Sequence, residues 1–213
     1  ESMSGHDDRD STSVDRPVPH YEASLHRSIE GLKVGVPKEY FDQGTQPGVR
    51  SALEAAMDVL RELGAQLEEV SIPSTKYALA CYYIVAPSEC SANLARYDGV
   101  KYGLSYRDTE NMWEAMERTR QEGFGPEVKR RVMLGTHALS SGYYDAYYIK
   151  AQKVRTLIRS ELEDAFGQFD ALVTPTSPTV AFRIGERIQD PVQMYLSDIC
   201  TIPANIAGVP AIS

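Results

Sequence analysis

The N-terminal third of the chain combines two strand patterns with one helix pattern. Apolar side chains alternate over residues 32–36, and Pro37 ends the run, which predicts a β-strand. Residues 47–63 place apolar side chains on one stripe at helical spacing, and Gly64 then ends the predicted helix. Residues 66–72 predict a second strand. The order strand, helix, strand indicates a βαβ unit with parallel strands.

The rest of the sequence is mainly helical in pattern. Residues 77–86 are apolar on all sides, which predicts a buried helix that Ser74 or Thr75 caps and Pro87 kinks. The further elements are helices at 110–122, 126–139 and 143–166 with a break at Gly142, a strand at 171–174 and a short helix at 192–200. Together these patterns predict the α/β class.

One folded domain follows an irregular N-terminal segment in this interpretation. Residues 1–30 are polar and lack helical periodicity, whereas residues 31–213 carry the predicted elements. The chain has 213 residues, of which 42% are hydrophobic and 24% charged, enough for one sizeable core. The sequence begins and ends abruptly, so we expect it to be a fragment of a longer protein.

Arg131 lies within the apolar stripe of the predicted helix 126–139, while Arg130 and His137 point the other way. An unpaired buried guanidinium is very unfavourable, so Arg131 should meet a carboxylate. That carboxylate belongs either to a core Asp or Glu or to a ligand, and structural pairs are the commoner use of buried arginine.

Asp198 and Tyr82 are the other candidate polar groups in apolar surroundings. Asp198 lies at the edge of an apolar helical face and needs a cation. Either it pairs with Arg131 as plain structure, or the two charges bind opposite ends of a zwitterionic ligand. Tyr82 lies in the wholly apolar helix, where its hydroxyl needs a partner, although core packing is the commoner role of tyrosine.

No catalytic nucleophile or metal site is predicted. A serine-hydrolase site is one interpretation of the polar residues around Gly142, namely His137, Ser140, Ser141 and Asp145. The sequence has no Gly-x-Ser-x-Gly motif, however, and a helix break explains these residues better. The Pro-rich segment 174–178 predicts a rigid loop at the end of a strand, where ligands gather in open α/β sheets. The sequence shows no Gly-rich phosphate loop and no metal-ligand spacing.

Composition narrows the class of partner and the compartment. The formal net charge is −8, which argues against independent binding to nucleic acid. There is no secretory signal and no apolar run long enough to span a membrane. The odd number of cysteines, Cys81, Cys90 and Cys200, predicts reduced, buried thiols in a cytosolic protein.

Six segments that together span nearly the whole chain resemble the amidase signature family. They are GHDDRDSTSVD, GLKVGVPKEYF, SECSANLARYDGVKYG, GFGPEVKRRVMLGTHALSSGYYDAYYIKAQKVRTLI, FDALVTPTSPTVAF and TIPANIAGVPAIS. The strings ARYDG and LGTHALSSGYYDAYY are specific to one branch, the A subunits of glutamine-dependent tRNA amidotransferases. Generic amidases match the strand and TPTSP parts better.

The resemblance implies a fold and indicates which part of the enzyme this chain supplies. The family fold is a mixed β-sheet flanked by helices on both faces, here truncated at both ends, and residues 31–213 would form its substrate-binding half. The family's catalytic serines and lysine belong to a Gly/Ser-rich N-terminal signature that this sequence does not contain. We therefore assign no catalytic residue and expect no glutamine hydrolysis from this chain alone.

The resemblance also implies a ligand site. Arg131 corresponds to the arginine that binds the α-carboxylate of glutamine, Asp198 to the aspartate that binds its α-amino group, and Tyr82 to a tyrosine lining the pocket. With this resemblance, the ligand clamp becomes the favoured interpretation of Arg131, since a guanidinium suits a carboxylate and an aspartate suits an ammonium group.

The whole enzyme implied is a cytoplasmic ligase of protein biosynthesis, a heterotrimer in which this chain joins the B and C subunits. Ammonia from glutamine would convert Glu-tRNA(Gln) to Gln-tRNA(Gln), or Asp-tRNA(Asn) to Asn-tRNA(Asn). The B subunit would bind the tRNA, ATP and magnesium, so this chain itself needs no cofactor. Two alternatives remain open: another amidase-family hydrolase of a free amide, and a non-catalytic scaffold that docks on a partner.

Overall fold

A small parallel sheet lies at one side of the fold. The computed structural model describes residues 3–41, 44–187 and 190–213. Strands β1 (Lys33–Pro37), β2 (Gln66–Val70) and β3 (Ala171–Leu172) pair in the order β2-β1-β3, and both pairings are parallel. Helix α1 (Pro47–Glu62) connects β1 to β2. The predicted βαβ unit and the α/β class are therefore confirmed.

A group of helices packs beside this sheet and supplies most of the core. The helices are α2 (Ala78–Leu94), α3 (Met112–Gly123), α4 (Pro126–Leu139), α5 (Lys150–Phe166), α6 (Pro191–Leu196) and α7 (Ile202–Ala207). Helix α2 packs against α4, α5 and α7. The buried cluster at their centre includes Ile72, Ala78, Cys81, Val85, Ile158, Leu162, Ile202 and Ile206. The apolar character predicted for α2 is thus explained by neighbours on several sides.

Helices α2 and α4 approach each other at backbone distance. A Cβ atom on Gly135 would lie 1.9 Å from the carbonyl oxygen of Pro87, so only glycine allows this contact. The hydroxyls of Ser91 and Thr136 are 2.8 Å apart across the same contact. Arg131 lies one helical turn before Gly135, so this contact holds the Arg131 side chain beside α2.

The predicted cap of α2 is wrong. A single 3-10 turn, Pro73–Tyr77, precedes α2, and Tyr77 at the cap position makes no side-chain capping bond. The Ser74 hydroxyl donates instead to Glu161 at 2.6 Å, and the Thr75 hydroxyl to the carbonyl of Ile72 at 2.7 Å. The Ser74 bond therefore joins the turn to α5, a long-range contact that local capping rules do not reveal, whereas the Thr75 bond is local.

Other boundaries shift by a few residues. The helix predicted from residue 143 begins with a π-helical turn, Asp145–Ile149, before α5 starts at Lys150. The strand predicted at 171–174 pairs only over Ala171–Leu172, and the helix predicted at 192–200 is the shorter α6. Helix α7 was not predicted, because Pro203 and Gly208 in so short a segment favour a loop on local rules.

The N-terminal residues lie along the surface before the first strand. Residues 3–30 contain one 3-10 turn, Tyr21–Ser24, and nearly all their side chains are exposed. The amide of Gly31 then donates to the carbonyl of Gly64 at 2.8 Å, where β1 joins the fold. No helix in the described parts of the chain is long and apolar enough to cross a membrane.

All three cysteines are free thiols. Cys81 and Cys200 are buried, as predicted, whereas Cys90 is only half-buried. Burial raises the pKa of the Cys200 thiol to about 11, because a thiolate loses hydration there. These two thiols therefore act as core groups.

Replacing Gly135 by alanine tests the close approach of α2 and α4. We expect Gly135→Ala to lower the free energy of unfolding by about 1–3 kcal/mol, because the added methyl group overlaps the Pro87 backbone and forces the helices apart. Urea unfolding monitored by circular dichroism measures the change. Gly48→Ala in α1 is the control, since a Cβ there meets no atom within 4 Å. Equal stability of the two variants would contradict the contact.

Candidate functional site

Arg131 projects from α4 toward α2 and has both a carboxylate and a phenol as partners. Its Nε donates to Oε1 of Glu127 at 3.0 Å, and its Nη1 donates to the Tyr82 hydroxyl at 3.2 Å. The side chain remains 29% exposed, so it is less buried than its place in the apolar stripe suggested. Arg131 thus has a structural carboxylate partner and still faces solvent, where a ligand can reach it.

Glu127 is the residue that sequence reasoning missed. It lies four residues before Arg131, one turn earlier on the same face of α4, and it also accepts a hydrogen bond from Arg130. The Glu-x-x-x-Arg spacing is a known helical ion-pair signal and was visible in the sequence. The carboxylate expected for Arg131 is therefore found within its own helix.

Three tyrosines form the wall beside this pair. The rings of Tyr82 and Tyr83 meet edge to face with centroids 5.0 Å apart, and the ring of Tyr83 packs on that of Tyr195 at 4.2 Å. The Tyr195 hydroxyl donates to Oε1 of Glu127 at 3.1 Å. These contacts connect α2, α4 and α6, so the wall is built from three separate elements.

Asp198 lies just after α6, and its carboxylate is exposed. Its amide donates to the carbonyl of Tyr195 at 3.1 Å, within a turn that continues from the helix. No ion pair joins Asp198 to Arg131 within the described residues, although both are described. Arg131 pairs with Glu127 instead of Asp198, and the binding of a ligand cation by Asp198 stays a prediction.

Arg131 and Asp198 act in opposite directions on the pKa of Tyr83. Burial raises the pKa of Tyr83, as do the nearby Tyr195 and the Asp198 carboxylate, whereas the Arg131 guanidinium acts in the opposite direction. Both charges therefore lie within electrostatic range of the Tyr83 phenol. The structure brings the three predicted site residues, Tyr82, Arg131 and Asp198, to the same wall of the fold.

The charge state of the Arg131–Glu127 pair is well defined. Burial opposes the ionisation of Arg131, but its hydrogen bonds to Tyr82 and Glu127 prevail and raise its pKa. Burial likewise opposes the ionisation of Glu127, but the bonds from Arg131 and Tyr195 keep its pKa below the ordinary value of 4.5. At neutral pH Arg131 is therefore a guanidinium cation and Glu127 a carboxylate.

The serines after α4 terminate the helix. The Ser140 hydroxyl donates to the carbonyl of His137 at 2.7 Å, and Gly142 has a positive φ of 88°. The His137 ring packs on Tyr143 with centroids 4.4 Å apart. The preference for a helix break over a hydrolase site is thus supported by the geometry of these residues.

A cleft lies apart from the three site residues, none of which lines it. It has a volume of about 760 Å³ and runs along β3, where Leu172, Phe166 and Ile212 contribute apolar surface. Residues 174–176 of the segment 174–178, which was predicted to form a rigid loop, line the cleft. Cys200, two residues after Asp198, lines it as well. The described residues of the chain include no cluster of three or more metal-ligating side chains.

Comparison with known proteins identifies relatives over the whole sequence. A protein from Dehalococcoides mccartyi strain BAV1, named as the A subunit of glutamyl-tRNA(Gln) amidotransferase, is 62% identical over 213 residues, which cover 100% of this chain and 44% of that protein. A protein of the same name from Chloroflexus aggregans is 60% identical over 210 residues, 99% of this chain and 43% of that protein. This chain therefore spans less than half the length of these relatives.

A solved structure and a family model agree with these relatives. The crystal structure of the A subunit of glutamyl-tRNA(Gln) amidotransferase from Thermotoga maritima superimposes with a TM-score of 0.66 and 41% identity, over 98% of this chain and 42% of that one. The family model described as Amidase matches residues 1–213. Because that match extends over every residue of the sequence, this chain belongs to the amidase family.

Proposed function

We propose that this chain is the glutamine-binding half of the A subunit of a tRNA-dependent amidotransferase. The observation that carries the proposal is the 62% identity over all 213 residues to a protein that bears this name. The geometry adds support, because a guanidinium with free N–H groups and a separate exposed carboxylate lie on one wall. A zwitterionic amino acid offers the complementary pair of charges.

The proposed role of each site residue follows from its charge. Arg131 binds the α-carboxylate of glutamine through the guanidinium N–H groups that Glu127 and Tyr82 leave free. Asp198 binds the α-ammonium group. The Tyr82 hydroxyl, fixed by Arg131 at 3.2 Å, lines the space between them. Holding both ends of glutamine presents its side-chain amide in one orientation for attack.

The chemistry itself is proposed to use residues outside this chain. A serine elsewhere in the complete enzyme would attack the glutamine amide, release ammonia and form an acyl-enzyme that water hydrolyses to glutamate. The sequence of this chain has no Gly/Ser-rich signature that could supply that serine. We therefore propose that the chain alone binds its part of the substrate without turning it over.

The assembly is proposed from the same resemblance. Ammonia would pass to the B subunit, which binds the tRNA and uses ATP and magnesium to activate the acyl group, and the C subunit would complete a cytoplasmic heterotrimer. The net charge of −8 supports tRNA contacts made mainly by the B subunit. The sequence of this chain has no Gly-rich phosphate loop, so we propose that it binds no cofactor.

Removing either charge of the clamp tests substrate binding. In the complete enzyme with all its partners, we expect Arg131→Ala and Asp198→Ala each to raise the KM for glutamine about 10- to 100-fold, as is typical when a charged hydrogen-bonding partner is lost. Glutaminase kinetics at varied glutamine concentration measure the change. Lys129→Ala in α4 and Asp164→Ala in α5 are exposed, charge-matched controls and should leave KM unchanged. Unchanged KM in both clamp variants would overturn the proposed clamp.

Replacing Tyr82 by phenylalanine tests the contribution of a single hydroxyl group to the proposed pocket. The change removes the hydroxyl that accepts from Arg131 Nη1 and keeps the ring contact with Tyr83. We expect the KM for glutamine to rise about 3- to 10-fold, because one hydrogen bond that orients the guanidinium is lost. The same kinetic assay applies, with Tyr77→Phe as control, since Tyr77 is exposed at the start of α2. A KM equal to that of the unmodified enzyme would contradict the assigned role.

The chain by itself tests the assignment of the chemistry. We expect purified residues 1–213 to release no ammonia from glutamine above the rate without protein, because the catalytic serine is assigned elsewhere. A coupled ammonia assay, with an equal concentration of the complete enzyme as reference, makes the comparison. Ammonia release by this chain alone would contradict the proposed division of the enzyme.

A further inference from the structure

Glu127 is the point where two separate parts of the site meet. Its Oε1 atom accepts from Arg131 Nε at 3.0 Å and from the Tyr195 hydroxyl at 3.1 Å, and its other oxygen accepts from Arg130. Arg131 and Glu127 belong to α4, whereas Tyr195 belongs to α6. A single carboxylate thus joins the element that carries the guanidinium to the element that leads to Asp198.

The bond to Glu127 determines which edge of the Arg131 guanidinium is available. Nε is occupied by Glu127, and one N–H of Nη1 by Tyr82. The other N–H of Nη1 and both of Nη2 have no acceptor within the described residues. Because two anchors fix the plane of the group, these free N–H groups keep one direction, which is the condition for bidentate binding of a carboxylate.

The bond from Tyr195 acts on the opposite end of the site. Asp198 follows Tyr195 by one turn, and its amide donates to the Tyr195 carbonyl at 3.1 Å. The Tyr195 ring is also held on Tyr83, with centroids 4.2 Å apart. The place of the Asp198 backbone therefore depends on where Tyr195 is tethered; its hydroxyl donates to Glu127 and also interacts with Arg130.

We propose that Glu127 is a positioning residue that fixes the separation between the Arg131 guanidinium and the Asp198 carboxylate. It thereby selects amides that carry an α-carboxylate and an α-ammonium group at that separation. This inference rests on the proposed function, in which these two charges bind glutamine. Glu127 itself needs no contact with the substrate.

A purely structural role for Glu127 makes a different prediction. Its side chain is 43% exposed, and exposed ion pairs within a helix contribute little to stability. A helix ion pair alone would thus affect thermal unfolding slightly and leave substrate recognition unchanged. The hydrogen bond from Tyr195, on another element, is what distinguishes the site from an ordinary surface pair.

Two amides that differ at one end separate these roles. Glutamine carries both α-groups, while glutaramate keeps the carboxylate and the amide but lacks the α-amino group. In the complete enzyme with all its partners, we expect Glu127→Gln to raise KM for glutamine about 10-fold and KM for glutaramate by a smaller factor, since glutamine uses both anchored ends of the site and glutaramate only the Arg131 end. We expect Tyr195→Phe to raise KM for glutamine about 3- to 10-fold and KM for glutaramate by a smaller factor, because the bond between Arg131 and Glu127 remains and the loss falls mainly on the Asp198 end. In each variant kcat should stay within about twofold.

A control variant and two contrary outcomes distinguish a positioning role of Glu127 from a purely structural one. Glu117→Gln, an exposed glutamate on α3, should leave every constant unchanged. If Glu127→Gln and Tyr195→Phe alter only the thermal midpoint, the positioning role is overturned. It is also overturned if Tyr195→Phe raises KM equally for both amides. Should Glu127→Gln fail to fold, the selective effect of Tyr195→Phe decides alone.

The inference and the proposed function fail in different ways. If Arg131→Ala and Asp198→Ala leave the KM for glutamine unchanged, the clamp itself is wrong. If those variants raise KM while Glu127→Gln and Tyr195→Phe do not, the clamp stands and only the role of Glu127 is overturned.

Discussion

The backbone contact between α2 and α4 is the constraint on which the charged wall depends. Gly135 lies against the carbonyl of Pro87, at a distance that no side chain permits. One turn away, this spacing allows the Arg131 guanidinium to reach the Tyr82 hydroxyl at 3.2 Å. A hydrogen bond between side chains on two helices is only as precise as the distance between the helices, and here steric exclusion sets that distance.

Charge neutralisation within the wall has a second consequence for the site. Glu127 balances Arg131 on one edge of the guanidinium, so the cation can remain partly desolvated in the absence of any ligand. Asp198 is exposed and has no such internal counter-ion among the described residues. One end of the site is thus held rigidly by several bonds, while the other is held by its backbone turn and by the tethered Tyr195.

The elements of the fold were largely predictable, whereas the connections between them were not. Periodicity gave the βαβ unit and the helices around Arg131, because each pattern is local. Ser74 was mispredicted as a helix cap because its partner, Glu161, depends on tertiary packing, whereas Thr75 bonds locally to the carbonyl of Ile72. Glu127 could have been found from its helical spacing to Arg131. Its bond from Tyr195, 68 residues later, could not.

The glycine at position 135 also carries information about other members of the family. It touches no proposed ligand, yet a larger residue there would move α4 away from α2 and carry the arginine out of reach of the tyrosine. An amidase with alanine or serine at the corresponding position would need either a different helix spacing or a different way of orienting its arginine. A position in a helix contact, outside the proposed ligand site, thus becomes a sequence marker for how a related enzyme recognises a carboxylate.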